Sequence, residues 1–104
     1  MAKVHIDAGN CGFHTDVEAQ VVEKYQVSLK IESGCKHIQK MAEDLQAVNA
    51  LEEISYRRGS REILSKAAEY CTHAACPVPV GIIKAVEVAT GLALPKIVTI
   101  EIEK

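Results

Sequence analysis

The stretch Val27-Ser28-Leu29-Lys30-Ile31-Glu32-Ser33-Gly34-Cys35-Lys36-His37-Ile38-Gln39-Lys40-Met41-Ala42 changes its hydrophobic period midway. Val27, Leu29 and Ile31 alternate with Ser28, Lys30 and Glu32, the period-two pattern of a half-buried strand. From Lys36 onward Ile38, Met41, Ala42, Leu45 and Val48 recur at helical spacing, to about Ala50. Gly34 marks the joint and Cys35 stands in it. A strand that runs directly into a helix after a run of strands is the signature of an α+β domain.

Working back from that joint, Val17, Ala19 and Val21 alternate with Asp16, Glu18 and Gln20. Val4, Ile6 and Ala8 alternate with Lys3, His5 and Asp7. Gly9-Asn10-Cys11-Gly12 and Glu23-Lys24-Tyr25 separate these runs as turns. Three strands with short connections predict an antiparallel meander, one face apolar and one wet.

Working forward, Glu52 to Gly59 holds a short helical turn ended by Arg57-Arg58-Gly59. Ser60 then caps a helix whose inner face carries Ile63, Leu64, Ala67, Ala68 and Cys71. A loop, Thr72 to Val78, carries His73, Cys76 and Pro77. Pro79 suits the first turn of a further helix lined by Ile82, Ile83, Val86 and Ala89 and ended by Gly91. After Pro95, Val98, Ile100 and Ile102 alternate with polar residues, which predicts a final strand at an edge or beside the first. The expectation is one α+β domain over residues 1–104, with an antiparallel sheet (a three-stranded meander plus a C-terminal strand) and about three helices on one face.

Composition narrows the function classes. The chain is 48% hydrophobic and 25% charged with a formal net charge of −2, Trp is absent and Phe occurs once. Without a basic stripe or stacking aromatics, nucleic-acid binding has no support. No apolar run approaches the roughly 18 residues of a membrane span, and Met1 to Asp7 does not read as a secretory leader. A cytoplasmic location is expected, and there four cysteines point to metal or redox chemistry rather than disulfides.

Cys11, Cys35 and Cys76 all stand in turn-like surroundings beside Gly or Pro. Thiols at strand ends and helix starts meet backbone N–H groups that favour thiolate and stay reachable. In a meander the first turn and the end of the third strand share one end of the sheet, so Cys11 and Cys35 can meet. The loop before Pro79 can bring in Cys76 and His73. Three thiolates and one imidazole suit a zinc ion or an iron–sulfur cluster. Cys71, inside a helical pattern, reads as a small buried hydrophobe.

The thiol placement resembles the NifU/IscU-type iron–sulfur cluster scaffold. The residues that carry the likeness are Cys11-Gly12, Gly34-Cys35 and Cys76, separated by 24 (35 − 11) and 41 (76 − 35) positions. The resemblance implies a NifU/IscU-like fold, a cluster held by Cys11, Cys35 and Cys76, and two partners: a cysteine desulfurase or other sulfur donor, and an acceptor apoprotein. The chain departs from that family in having Phe13 where an Asp is usual and Ala75 where a His is usual, and in its final strand. Cys76-Pro77-Val78-Pro79 separately resembles the Cys-Pro-x-Pro motif of TusA-type sulfur carriers, which implies a persulfide on Cys76. The expected role is a binder or carrier; a Cys76 sulfur relay and a structural zinc module are the competing readings.

The remaining polar residues read as solvated surface. His5 falls on the polar face of the first strand, His14 after the first turn, Asp16 on the second strand, His37 on a helix start, and Glu52-Glu53 on a helix surface. No Ser-His-Asp set, phosphate-cradling Gly loop or paired catalytic carboxylates can be assembled.

Overall fold

The computed structural model describes residues 1–104. Its elements are β1 (Ala2–Asp7), β2 (His14–Glu23), β3 (Gln26–Ser33), α1 (Lys36–Glu43), β4 (Ala47–Asn49), α2 (Ala50–Glu53), α3 (Glu62–Tyr70) and α4 (Val78–Ala89). The strands form one antiparallel sheet in the order β1-β2-β3-β4. The fold is α+β, and the expected meander is present. Alternation sends Val17, Ala19, Val27 and Leu29 inward, where Ile82 and Val86 of α4 and Ile38 and Met41 of α1 join them in one core. Helices thus cover one face. The other face presents charged and polar side chains to water. No helix is long and apolar enough to cross a membrane.

Helix α4 lies closest to the sheet at Gly81, where an added Cβ would run into the Ile6 side chain. The missing side chain lets the helix backbone settle onto β1. Pro79 sits in the first turn of α4, as its absent N–H allows, and Gly91 follows the Thr90 cap with a φ of +76°.

Three expectations are corrected. The helix starting at Lys36 stops at Glu43 rather than near Ala50. Val48 instead pairs with Val27 in β4. A three-residue spacing keeps Leu45 and Val48 both buried whether the chain between them is helix or turn, so periodicity could not place the end. Asp44 closes the helix, its carboxylate accepting from Lys66 Nζ (3.2 Å) and Tyr70 Oη (2.7 Å) and so tying α1 to α3.

The predicted C-terminal strand does not form; residues 94–104 have no regular structure. The fourth strand is Ala47–Asn49, and Ile97 and Ile102 are each 90% exposed. Alternation assigns faces to a strand but does not supply an edge to pair with. We expect deletion of residues 94–104 to change unfolding free energy by less than about 0.5 kcal/mol, the range of exposed positions without tertiary contacts; a urea melt checks this.

The third correction concerns the start of α3. Arg61, not Ser60, is the cap residue, in the left-handed region at φ +47°. No side chain of its own helix caps the end. The carboxylate of Glu53, 2% exposed, accepts from the Glu62 N–H (3.0 Å) and the Ile63 N–H (2.8 Å). A residue that reads as a surface acid in the sequence is therefore a buried cap.

Candidate thiol centre

Each inner thiol stands where a helix begins or ends. Cys35 is the cap residue of α1, extended at φ −84° and ψ 125°. Its N–H donates to Ser33 Oγ (3.1 Å), and its carbonyl accepts from the Gln39 N–H (2.9 Å). Ser33 Oγ in turn accepts from the Thr15 hydroxyl (2.8 Å), so the end of β3 is tied to β2. Cys71 is the C-cap of α3, its N–H bonded to Ala67 O at 2.8 Å. Cys76 directly precedes the Pro77 cap of α4, held by a turn in which its N–H donates to His73 O (3.3 Å).

All three thiols are half-buried and reduced, and all pack against the margin of the core. They also sense one another. Burial first, then the charge of Cys76, a hydrogen bond with Cys76 and the charge of Cys35 push the Cys71 thiol up to about 11. Partial burial beside two other thiols disfavours thiolate at Cys71. A cation among them would reverse that balance, because a coordinating thiol is deprotonated outright.

Cys11 is exposed, on the turn between β1 and β2. That turn is closed by Gly12 N–H to Gly9 O (2.9 Å) and Ala8 N–H to Phe13 O (3.1 Å). The Phe13 ring lies over Gly34, with Cδ1 3.1 Å from where a Gly34 Cβ would stand. The turn therefore leans on the residue next to Cys35. Gly34 admits this contact because it has no side chain. His73 is exposed in the loop between Cys71 and Cys76.

The set expected from the sequence is Cys11, Cys35 and Cys76 with His73. Cys11 lies exposed on the β1–β2 turn and His73 exposed on the loop before Cys76, and the four do not form a group with ligand atoms within 4.8 Å of one another. Cys71, which helical periodicity assigns to packing, is coupled directly to Cys76 and Cys35. Its signal is the spacing to Cys76: five residues (76 − 71) with a loop between are enough to fold one thiol back on the other.

The tightest group of donor atoms lies elsewhere. His5, His14 and Asp16, on the open face of the sheet, have ligand atoms all within 4.8 Å of one another. In the sequence these residues read as solvated surface. Alternation places them on the wet face, but only the β1–β2 register sets His5 opposite Asp16 and His14 opposite Asp7. Hydrogen bonds donated to Asp7 and then Asp16 raise the His14 pKa, and those accepted from His5 and then His14 lower that of Asp16.

No match appears among curated proteins or solved structures. One family model matches residues 2–102, spanning the sheet, all four helices and every cysteine described above. The chain belongs to DUF6951, a family of unknown function.

Proposed function

We propose that the protein binds a metal ion or an iron–sulfur cluster through Cys35, Cys71 and Cys76, with Cys11 closing the site from the β1–β2 turn. The observation that carries this reading is the coupling of the Cys71 thiol to both Cys76 and Cys35 at the ends of three helices. Thiolate donors select zinc and iron–sulfur clusters, and a tetrahedral zinc site brings its sulfurs to about 3.8 Å from one another at a zinc–sulfur distance of about 2.3 Å. Inward movement of the exposed turn completes the set. Gly9 at φ +88° and Gly12 at φ +73°, both with open space around them, give that turn its backbone freedom. Cys71 fits the fourth place better than His73, since His73 is exposed on the loop. In this reading the protein is a scaffold or carrier, with a sulfur donor and an acceptor apoprotein as its partners.

Anaerobic reconstitution with iron and sulfide, and titration with Co2+ or Zn2+, test it. We expect thiolate charge-transfer absorption, release of protons on binding and a melting temperature that falls with chelator. Cys35→Ser, Cys71→Ser and Cys76→Ser should each abolish the absorption, whereas His73→Ala should retain it. Absence of any band and of any bound metal after reconstitution overturns the reading.

A sulfur relay has one observation in its favour: Cys76 directly precedes α4 with Cys71 beside it. In that case incubation with a cysteine desulfurase and its cysteine substrate would leave one added sulfur on Cys76, seen by mass spectrometry, in metal-free protein.

A further inference from the structure

On the face of the sheet turned away from the helices, β1 and β2 place two imidazoles around one carboxylate oxygen. His5 and Asp16 are paired across the strands, as are Asp7 and His14. His5 Nδ1 lies 2.6 Å from Asp16 Oδ1, and His14 Nε2 lies 2.7 Å from the same atom. The two rings stack with centroids 6.2 Å apart and 20° between planes. We propose that His5, His14 and Asp16 form a second metal site, for a divalent first-row transition ion such as Zn2+ or Ni2+, on the open face of the sheet.

Three further features fit. The other nitrogen of His14, Nδ1, donates to Asp7 Oδ1 at 2.7 Å. A carboxylate behind a ligating histidine holds the ring so that its free nitrogen points at the metal, and raises its basicity. Glu32 of β3 is paired directly with Asp16 of β2. Like charges placed opposite each other across strands repel, and a cation beside Asp16 relieves that repulsion. Finally, a recess of about 150 Å³ is lined by His5, Asp16, Glu32, Glu18 and the two flanking lysines, Lys3 and Lys30. Imidazole nitrogens with a single carboxylate suit zinc, nickel and iron(II) better than calcium or magnesium. Three protein donors leave at least one position for water or a small ligand.

The site shares no residue with the thiol centre and faces the opposite way. The thiols pack against the core, while His5 and His14 are exposed. It therefore stands or falls independently.

The test is a titration of Ni2+ into protein that already carries one equivalent of Zn2+, followed by NMR of the four imidazoles. His37 and His73, both exposed and outside the cluster, are internal references. We expect the His5 and His14 signals to broaden together and saturate at one equivalent of Ni2+, ahead of His37 and His73. Asp7→Asn should weaken binding by about 10- to 100-fold, as loss of a supporting carboxylate does. His14→Gln and, as a second variant, His5→Gln should abolish it while the amide spectrum remains that of the folded protein. Cys71→Ser, titrated without the added Zn2+, should leave it intact. Broadening spread equally over all four histidines, or retained in folded His14→Gln and His5→Gln proteins, or absent at millimolar Ni2+, overturns the proposal.

Discussion

Gly59→Ala will lower the stability of this protein by about 3 kcal/mol. Gly59 has a φ of +81°, and a Cβ built there would stand 2.5 Å from Glu52 O and 2.6 Å from Glu52 Cα. Holding Ala in that backbone region costs about 1–2 kcal/mol. Overpacking adds about 1–3 kcal/mol, toward the upper end because the obstructing atoms belong to a main chain that cannot rotate aside. A less flexible unfolded chain returns about 0.4–1 kcal/mol. Pushing the Glu52 backbone away also strains two hydrogen bonds, Arg61 N–H to Glu52 O (2.9 Å) and Ser60 N–H to Glu52 Oε2 (2.8 Å). These hold the loop between α2 and α3. Gly91→Ala is the control: its φ is +76° but nothing lies within 4 Å of the added carbon, so the backbone cost of about 1–2 kcal/mol, less the same unfolded-chain return, applies without a steric cost. Urea denaturation of the two variants separates sterics from conformation. Equal losses would mean that the Glu52 backbone yields.

Glu53→Ala carries the second large effect, again about 3 kcal/mol. Its carboxylate accepts the first N–H groups of α3, at Glu62 and Ile63, from a position 2% exposed. Hydrogen bonds to a charged group contribute about 1.5–3 kcal/mol each, and two donors would be left without a partner. Relief of carboxylate burial offsets part of that loss. Glu53→Gln should fall between, since its amide oxygen can serve one N–H while its NH2 faces the other.

The pH dependence has a definite sign. Burial raises the Glu53 pKa above 4.5, more than the Ile63 and Glu62 N–H bonds lower it. The folded state then binds this proton more tightly than the unfolded state. The stability contributed by Glu53 is therefore full below its unfolded pKa and is lost as pH rises through the folded value. Relative to Glu53→Gln, which does not titrate there, the wild type should gain stability as pH is lowered from neutral towards 4.5. A difference that stays flat across that window would remove burial as the governing effect. Because Cys71 caps the far end of the same helix, both variants should also weaken the metal binding proposed for the thiol centre.

Glu53 and Gly59 show which kind of information is legible along the chain. Turn glycines are readable as punctuation, although the short helical turn expected within Glu52 to Gly59 lies at Ala50–Glu53 and is closed by Ile54, ahead of Arg57-Arg58-Gly59. That Gly59 must be glycine depends on Glu52 backbone folding against it, a contact local spacing does not report. Glu53 is one of two adjacent acids with the same neighbours in sequence. Only the return of α3 distinguishes the buried one from its neighbour Glu52, which is exposed.

The thiols divide in the same way. Cys35 at a strand–helix joint and Cys76 before α4 are legible because Gly34 and the prolines mark those boundaries. Cys71 reads as packing because helical periodicity runs up to it. Its coupling to Cys76 and Cys35 arises because α1 and α4 begin where α3 ends. The imidazole cluster is harder still: His5, His14 and Asp16 are ordinary surface residues until register stacks them across two strands.

Sequence alone determined the α+β class, the meander, the boundaries at Gly34 and Pro79 and the face each strand residue takes, because these follow from period and backbone preference over a few neighbours. Tertiary structure alone decided that Ala47–Asn49 and not the C-terminal segment supplies the fourth strand, which acid is buried, which thiols couple and which histidines share a carboxylate. Those outcomes depend on pairings between distant segments, where each candidate satisfies the local pattern equally well and only the packing of the whole chain distinguishes them.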